Sequence, residues 1–89
     1  MREKELERKL KKAVEALGGA CLKLSSQFCA GLPDRLVLLP QGKALFVETK
    51  ARGKKPSVVQ LARHETLKKL GFRVVVLDDE KAIDKLSSY

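Results

Sequence analysis

Two carboxylates and a lysine stand at the ends of two apolar runs. Asp34 precedes RLVLL, and Glu48 and Lys50 close KALFVETK. Glu48 and Lys50 are two residues apart, so on a strand they point to one face. Between the runs, Pro40-Gln41-Gly42 reads as a three-residue hairpin loop with Gly42 in the left-handed conformation. That loop pairs Leu39 with Lys43 and, counting on, sets Asp34 directly opposite Glu48; a two-residue turn would shift the register by one. Residues directly opposite have Cβ atoms about 4.5–5.5 Å apart, and like charges there are destabilising. The pair therefore needs a cation. Two carboxylates on a rigid hairpin suit Mg²⁺ or Mn²⁺, hard ions that take oxygen ligands. Such an ion binds a phosphate oxygen, lowers the pKa of a bound water and offsets charge growing on phosphorus. A lysine beside it can position the attacking water and stabilise the transition state. This is the equipment for metal-dependent hydrolysis of a phosphodiester.

Other chemistries lack their residues. The two cysteines, Cys21 and Cys29, form no CxxC motif and no disulfide framework, and read as reduced, partly buried thiols. With His64 they make three soft or borderline ligands, too few for a structural zinc site. A Ser-His or Cys-His nucleophile would have to use that one histidine, which has no supporting signature around it and reads as a surface residue.

The charge points to the partner. The chain carries 19 Lys and Arg against 11 Asp and Glu, a formal net charge of +8. Residues 20–76 hold eleven of the basic residues and only three acids, Asp34, Glu48 and Glu65. A basic central region suits a polyanion, nucleic acid first. Lys23, Ser25, Ser26, Arg35, Arg52, Lys54 and Lys55 are the candidate contacts to its backbone, with ARGKKP contributing most. At 89 residues the chain is one domain, 1–89, with one modest core. No apolar run approaches the ~20 residues of a membrane helix. The charged MREKELERKLKK start lacks the apolar region of a secretory signal. The expected setting is the cytoplasm.

The elements that must position these groups follow from periodicity. Leu6, Leu10, Ala13, Val14 and Leu17 form one helical stripe over 2–17, stopped by Gly18-Gly19. Residues 20–24, 34–39 and 43–50 read as strands. Residues 57–70 read as a helix with Ser57 as N-cap, Gln60 at the capping-box position and Gly71 ending it. FRVVVL, 72–77, is a fourth strand, apolar enough to be buried on both faces. Asp78 or Asp79 caps a short final helix through Leu86. The order αβββαβα makes the sheet mixed, with a parallel crossover between its last two strands. On the first helix Glu3 lies within the apolar stripe, Glu7 on its border, and Glu5 faces away.

Gly31-Leu32-Pro33-Asp34, followed after thirteen residues by Glu48-Thr49-Lys50, resembles the PD-(D/E)XK nuclease pattern. The surrounding GLPDRLVLLPQGKALFVETKARGKKPSVVQ, the Glu-rich first helix and GFRVVVL extend the resemblance to the VRR-NUC (virus-type replication-repair nuclease) domain over nearly the whole chain. The resemblance implies an α/β, restriction-endonuclease-like αβββαβ core with a central mixed four-stranded sheet flanked by helices. It implies Mg²⁺ or Mn²⁺ dependence and DNA cleavage. Asp34, Glu48 and the backbone carbonyl of Thr49 would hold the metal, Lys50 would be the catalytic lysine, and Gln60 would join the active site. The family pattern of a Glu three residues before a Leu selects Glu7 with Leu10, leaving Glu3 in reserve. Gln60 fits its capping box equally well, and the two roles can be shared. Stand-alone members look like homodimeric resolvases of four-way (Holliday) DNA junctions. A flap or nicking nuclease of the same fold, and a non-catalytic basic DNA-binding module, are the alternatives.

Overall fold

The computed structural model describes residues 2–25, 27 and 29–89. Ser26, one of the candidate DNA contacts, lies outside them. Helix α1 (Glu3–Ala16) is followed by strands β1 (Ala20–Lys23), β2 (Arg35–Leu39) and β3 (Lys43–Thr49), helix α2 (Val58–Lys69), strand β4 (Arg73–Leu77) and a 3₁₀ helix (Glu80–Ser88). Among the described residues these strands form one sheet in the order β1-β2-β3-β4. β1–β2 and β2–β3 are antiparallel, and β3–β4 is parallel. The crossover through α2 makes the sheet mixed, as expected from the element order.

The helical stripe is buried except at its end: Leu17, expected on it, falls at the C-cap of α1, where the chain turns away, and is exposed. Leu6, Leu10 and Val14 are buried and meet Val37, Leu39, Leu45 and Val47 of the central strands, with Cys21, Leu77, Ile83 and Leu86 completing the core. The final segment winds as a 3₁₀ helix rather than an α-helix. Asp79 caps it by accepting from the Lys81 N–H, and its Ile83 and Leu86 close the core.

The hairpin register is Leu39↔Lys43, Val37↔Leu45 and Arg35↔Val47, the pairing that a three-residue connection dictates. Both Gln41 (φ 70°) and Gly42 (φ 75°) take the left-handed conformation. Continued one step, this register sets Asp34 across from Glu48.

β4 corrects an expectation. Its valine run reads as a strand covered on both faces, but β4 is an edge strand. Leu77 is buried, whereas Val76 and Phe72 are exposed. Phe72 instead packs edge-on against Phe46 of β3, ring centroids 5.9 Å apart. An apolar run signals low polarity, not the number of neighbours, and an edge position is set by the strand order alone.

Candidate active site

The end of the β2–β3 hairpin gathers the charged residues. Pro33 is fully buried, and the Asp34 carbonyl accepts from the Leu24 N–H (2.8 Å), extending the β1–β2 ladder and fixing Asp34's backbone. The Thr49 N–H donates to both Asp34 carboxylate oxygens (3.2 and 3.3 Å), and the Thr49 hydroxyl donates to Oδ2 (2.6 Å). Asp34 is thereby tied to the last residue of β3.

Alternation along β3 divides the site between the two faces of the sheet. Thr49 points toward α1, where its Oγ1 lies 3.2 Å from Glu7 Oε1. Glu7 Oε2 in turn receives Arg35 Nη2 (3.3 Å). Of the two candidate glutamates it is therefore Glu7 that reaches the cluster, while Glu3 is exposed. Glu48 points toward α2 and is only 2% exposed. Its Oε2 accepts from Gln60 Nε2 (3.1 Å) and pairs with Lys50 Nζ (3.4 Å).

Gln60 performs both tasks its position allows. Its Oε1 accepts from the Ser57 N–H (2.8 Å) while the Gln60 N–H donates to Ser57 Oγ, completing the capping box. Its Nε2 is left free to hold Glu48. The preceding loop is fastened to the same helix: Arg63 Nε donates to the Ala30 carbonyl (3.2 Å), and Gly31 (φ +78°) crosses so close to Val59 that a Cβ would sit 2.5 Å from its carbonyl oxygen.

Burial dominates the electrostatics. It pushes the Asp34 and Glu48 carboxyls above the usual carboxylate range. The Thr49 hydrogen bonds oppose this at Asp34, while Asp34's own charge adds to it at Glu48 and Lys50 opposes it. Buried carboxylates that resist ionisation in the bare protein gain most from a cation.

The donor set fits a hard divalent ion. Glu48 Oε1 is buried with no hydrogen-bond partner among the described residues, and Asp34 lies close enough to repel it. No three His, Cys, Asp or Glu side chains among the described residues are grouped to enclose a metal. Two carboxylates suit Mg²⁺, which takes one or two protein carboxylates and completes its shell with water and phosphate.

Other sequence-derived candidates fall differently. Lys23, Ser25, Arg52, Lys54 and Lys55 are exposed, the last three on the turn between β3 and α2. Arg35 is not an open cation: its side chain is 13% exposed and engaged by Glu7. His64 is not on the surface. It is 2% exposed, with Nε2 3.9 Å from Glu48 Oε1, and burial with nearby Lys68 and Lys50 holds its pKa below the ordinary histidine value. Its four-residue spacing from Gln60 was the available signal, since both then share one helical face. Sequence reasoning also passed over Lys4, Arg8 and Lys11, which line a groove with Glu7 and Arg35 beside the site. Their i, i+4, i+7 spacing marks a single face of α1.

No family model matches the chain. It is 46% identical over 80 residues to a protein of Acyrthosiphon pisum secondary endosymbiont phage 1 named "Putative nuclease p44", spanning 90% of this chain and 86% of that one. A solved structure described as a VRR-NUC domain superimposes with a TM-score of 0.89 at 41% identity, over 98% of this chain and 95% of the other.

Proposed function

This chain belongs to the VRR-NUC nuclease family, and from that premise we propose that residues 1–89 act as a single metal-dependent DNA endonuclease domain, working as a homodimer on four-way junctions in the cytoplasm. The observation that carries the metal-dependent reading is the buried Glu48 carboxylate, with Oε1 unpartnered, set beside Asp34 and Lys50. Asp34, Glu48 and the Thr49 carbonyl would hold Mg²⁺ or Mn²⁺. When bound, such an ion offsets negative charge developing on the phosphoryl oxygens.

The chain's own groups do the rest. Gln60, fixed by the capping box, holds Glu48 Oε2 in place. Lys50, which already pairs with that oxygen, is the cation available to orient the attacking water and stabilise the transition state. Glu7 keeps Arg35 and the Thr49 hydroxyl aligned behind Asp34. The DNA backbone runs over Lys23, Ser25 and the Arg52–Lys55 turn on one side of the site. On the other side it meets the α1 groove of Lys4, Arg8 and Lys11.

The dimer rests on symmetry and on exposed apolar surface. Paired cuts in a junction suit two sites related by a twofold axis. Val58, Leu61 and Leu70 of α2 and its C-cap, with Phe72 and Val76 at the β4 edge, are exposed and available to a second copy.

The test is cleavage of matched four-way junction, flap and linear duplex DNA with Mg²⁺, Mn²⁺ or EDTA, by wild type and Glu48→Gln, with molar mass from light scattering. Paired, metal-dependent cuts in the junction alone by a dimer, lost in Glu48→Gln while DNA binding persists, are expected. Cuts in flap or linear DNA would remove the junction specificity. DNA binding without cleavage of any of these would replace the nuclease reading with a binding module.

A further inference from the structure

Of the polar side chains that are buried among the described residues, Glu48, Thr49 and His64, only His64 has no part in the chemistry above. It sits one helical turn beyond Gln60, on the same face of α2. Its Nε2 lies 3.9 Å from Glu48 Oε1, and neither atom has another hydrogen-bond partner among the described residues. Oε2, the other oxygen, is taken by Gln60 and Lys50. One face of α2 thus addresses both oxygens of one carboxylate.

The chemistry of the pair fixes the tautomer. An ionised carboxylate only accepts hydrogen bonds. A bare imidazole nitrogen against it would put two lone pairs face to face without water, an arrangement that buried polar groups avoid. A proton on Nε2 turns the same contact into a donor–acceptor pair. An approach of about 1 Å brings it to ordinary hydrogen-bond length. A carboxylate offers about four lone-pair sites, so three protein partners leave one for a cation.

We infer that His64 is a positioning residue: its Nε2–H donates to Glu48 Oε1 and, with Gln60 on Oε2, fixes the carboxylate so that α2 sets the affinity for the divalent ion. This rests on Glu48 being a metal ligand. Partners that orient a ligand in this way are worth about 10- to 100-fold in metal affinity or activity.

The experiment compares wild type, His64→Leu, His64→Gln and Glu48→Gln. Mn²⁺ binding to the DNA-free proteins is read from the electron paramagnetic resonance of the free ion, and DNA affinity is measured in EDTA. His64→Leu should weaken Mn²⁺ binding about tenfold or more with DNA affinity in EDTA unchanged. His64→Gln, which restores an N–H donor, should recover most of the loss. In wild type, ¹⁵N-resolved imidazole spectra should show the proton on Nε2, a readout that does not depend on any variant folding. A proton confined to Nδ1 overturns the inference. So does a folded His64→Leu that binds Mn²⁺ as wild type does, or a His64→Gln no better than His64→Leu, which would make the residue a packing element. If those variants match wild type while Glu48→Gln loses the ion, only the role of His64 falls. If wild type itself binds no Mn²⁺, the metal-dependent reading falls with it.

Discussion

Replacing Gln60 by Glu separates the two tasks of this side chain. A carboxylate oxygen can still accept from the Ser57 N–H at 2.8 Å, so the cap survives. The other oxygen then stands where Nε2 lay, 3.1 Å from Glu48 Oε2. At an effective dielectric constant of about 20, two charges at that distance repel by about 5 kcal/mol. The pair can escape by taking up one proton. From the ordinary Glu value of 4.5 to an assay at about pH 7.5, that proton costs about 4 kcal/mol, which caps the penalty. Near pH 4.5 the proton is already largely bound and the penalty falls to about 1 kcal/mol. The sign follows: the pair's folded-state pKa is raised, so stability is retained at low pH and lost as pH rises. Ser57→Ala is the companion, removing the cap alone at about 1 kcal/mol, independent of pH over this range. Urea denaturation in EDTA at both pH values reads the stability, and cleavage is assayed beside it. Gln60→Glu should lose about 3 kcal/mol more at pH 7.5 than near pH 4.5 and cleave poorly; Ser57→Ala should cleave normally. A Gln60→Glu loss that does not change with pH would refute the contact with Glu48.

The remaining expectations concern the ion and the loop. Burial raises the Asp34 and Glu48 carboxyls above 3.8 and 4.5, so their contribution to stability is complete below those values and is lost as pH rises through the raised ones. Mg²⁺ replaces the missing protons, so it should raise Tm more at pH 7.5 than at pH 5; an equal rise at both would refute this origin. Gly31→Ala combines φ +78° with a Cβ 2.5 Å from the Val59 carbonyl and should cost at least about 2 kcal/mol, a fall in Tm of about 10 °C or more. Gly42→Ala, at φ +75° with no atom of the described residues within 4 Å of its Cβ, should cost about half as much, and equal losses in the two variants would remove the role given to Val59.

What the linear sequence determined about this protein was local. The stripe at Leu6, Leu10 and Val14 (though not its last member, Leu17, which is exposed), the Ser57–Gln60 cap and the register of the three-residue hairpin connection each depend on residues a few positions apart, and these are present as read. The hairpin register carried this reach furthest, because a turn of known length fixes which residues face each other across it. That is why the placing of Asp34 opposite Glu48 was legible in the sequence, whereas the hydrogen bonds of Asp34 to the neighbouring Thr49 were not.

Tertiary structure decided what depends on packing between elements distant in the chain. β4 became an edge because, among the described residues, no further strand lies beyond it. Arg35 turned from an open cation into the partner of Glu7, 28 residues away. Glu7, rather than Glu3, was brought against Thr49 by the placement of α1. His64 was drawn from the surface to the Glu48 carboxylate by the docking of α2 on the sheet. Hydrophobic patterning could not foresee that, because α2 buries a histidine and leaves Val58, Val59 and Leu61 exposed; the one signal was the four-residue spacing of His64 from Gln60. Side-chain type gives the free energy of burial, but which face is buried is settled by what the helix meets.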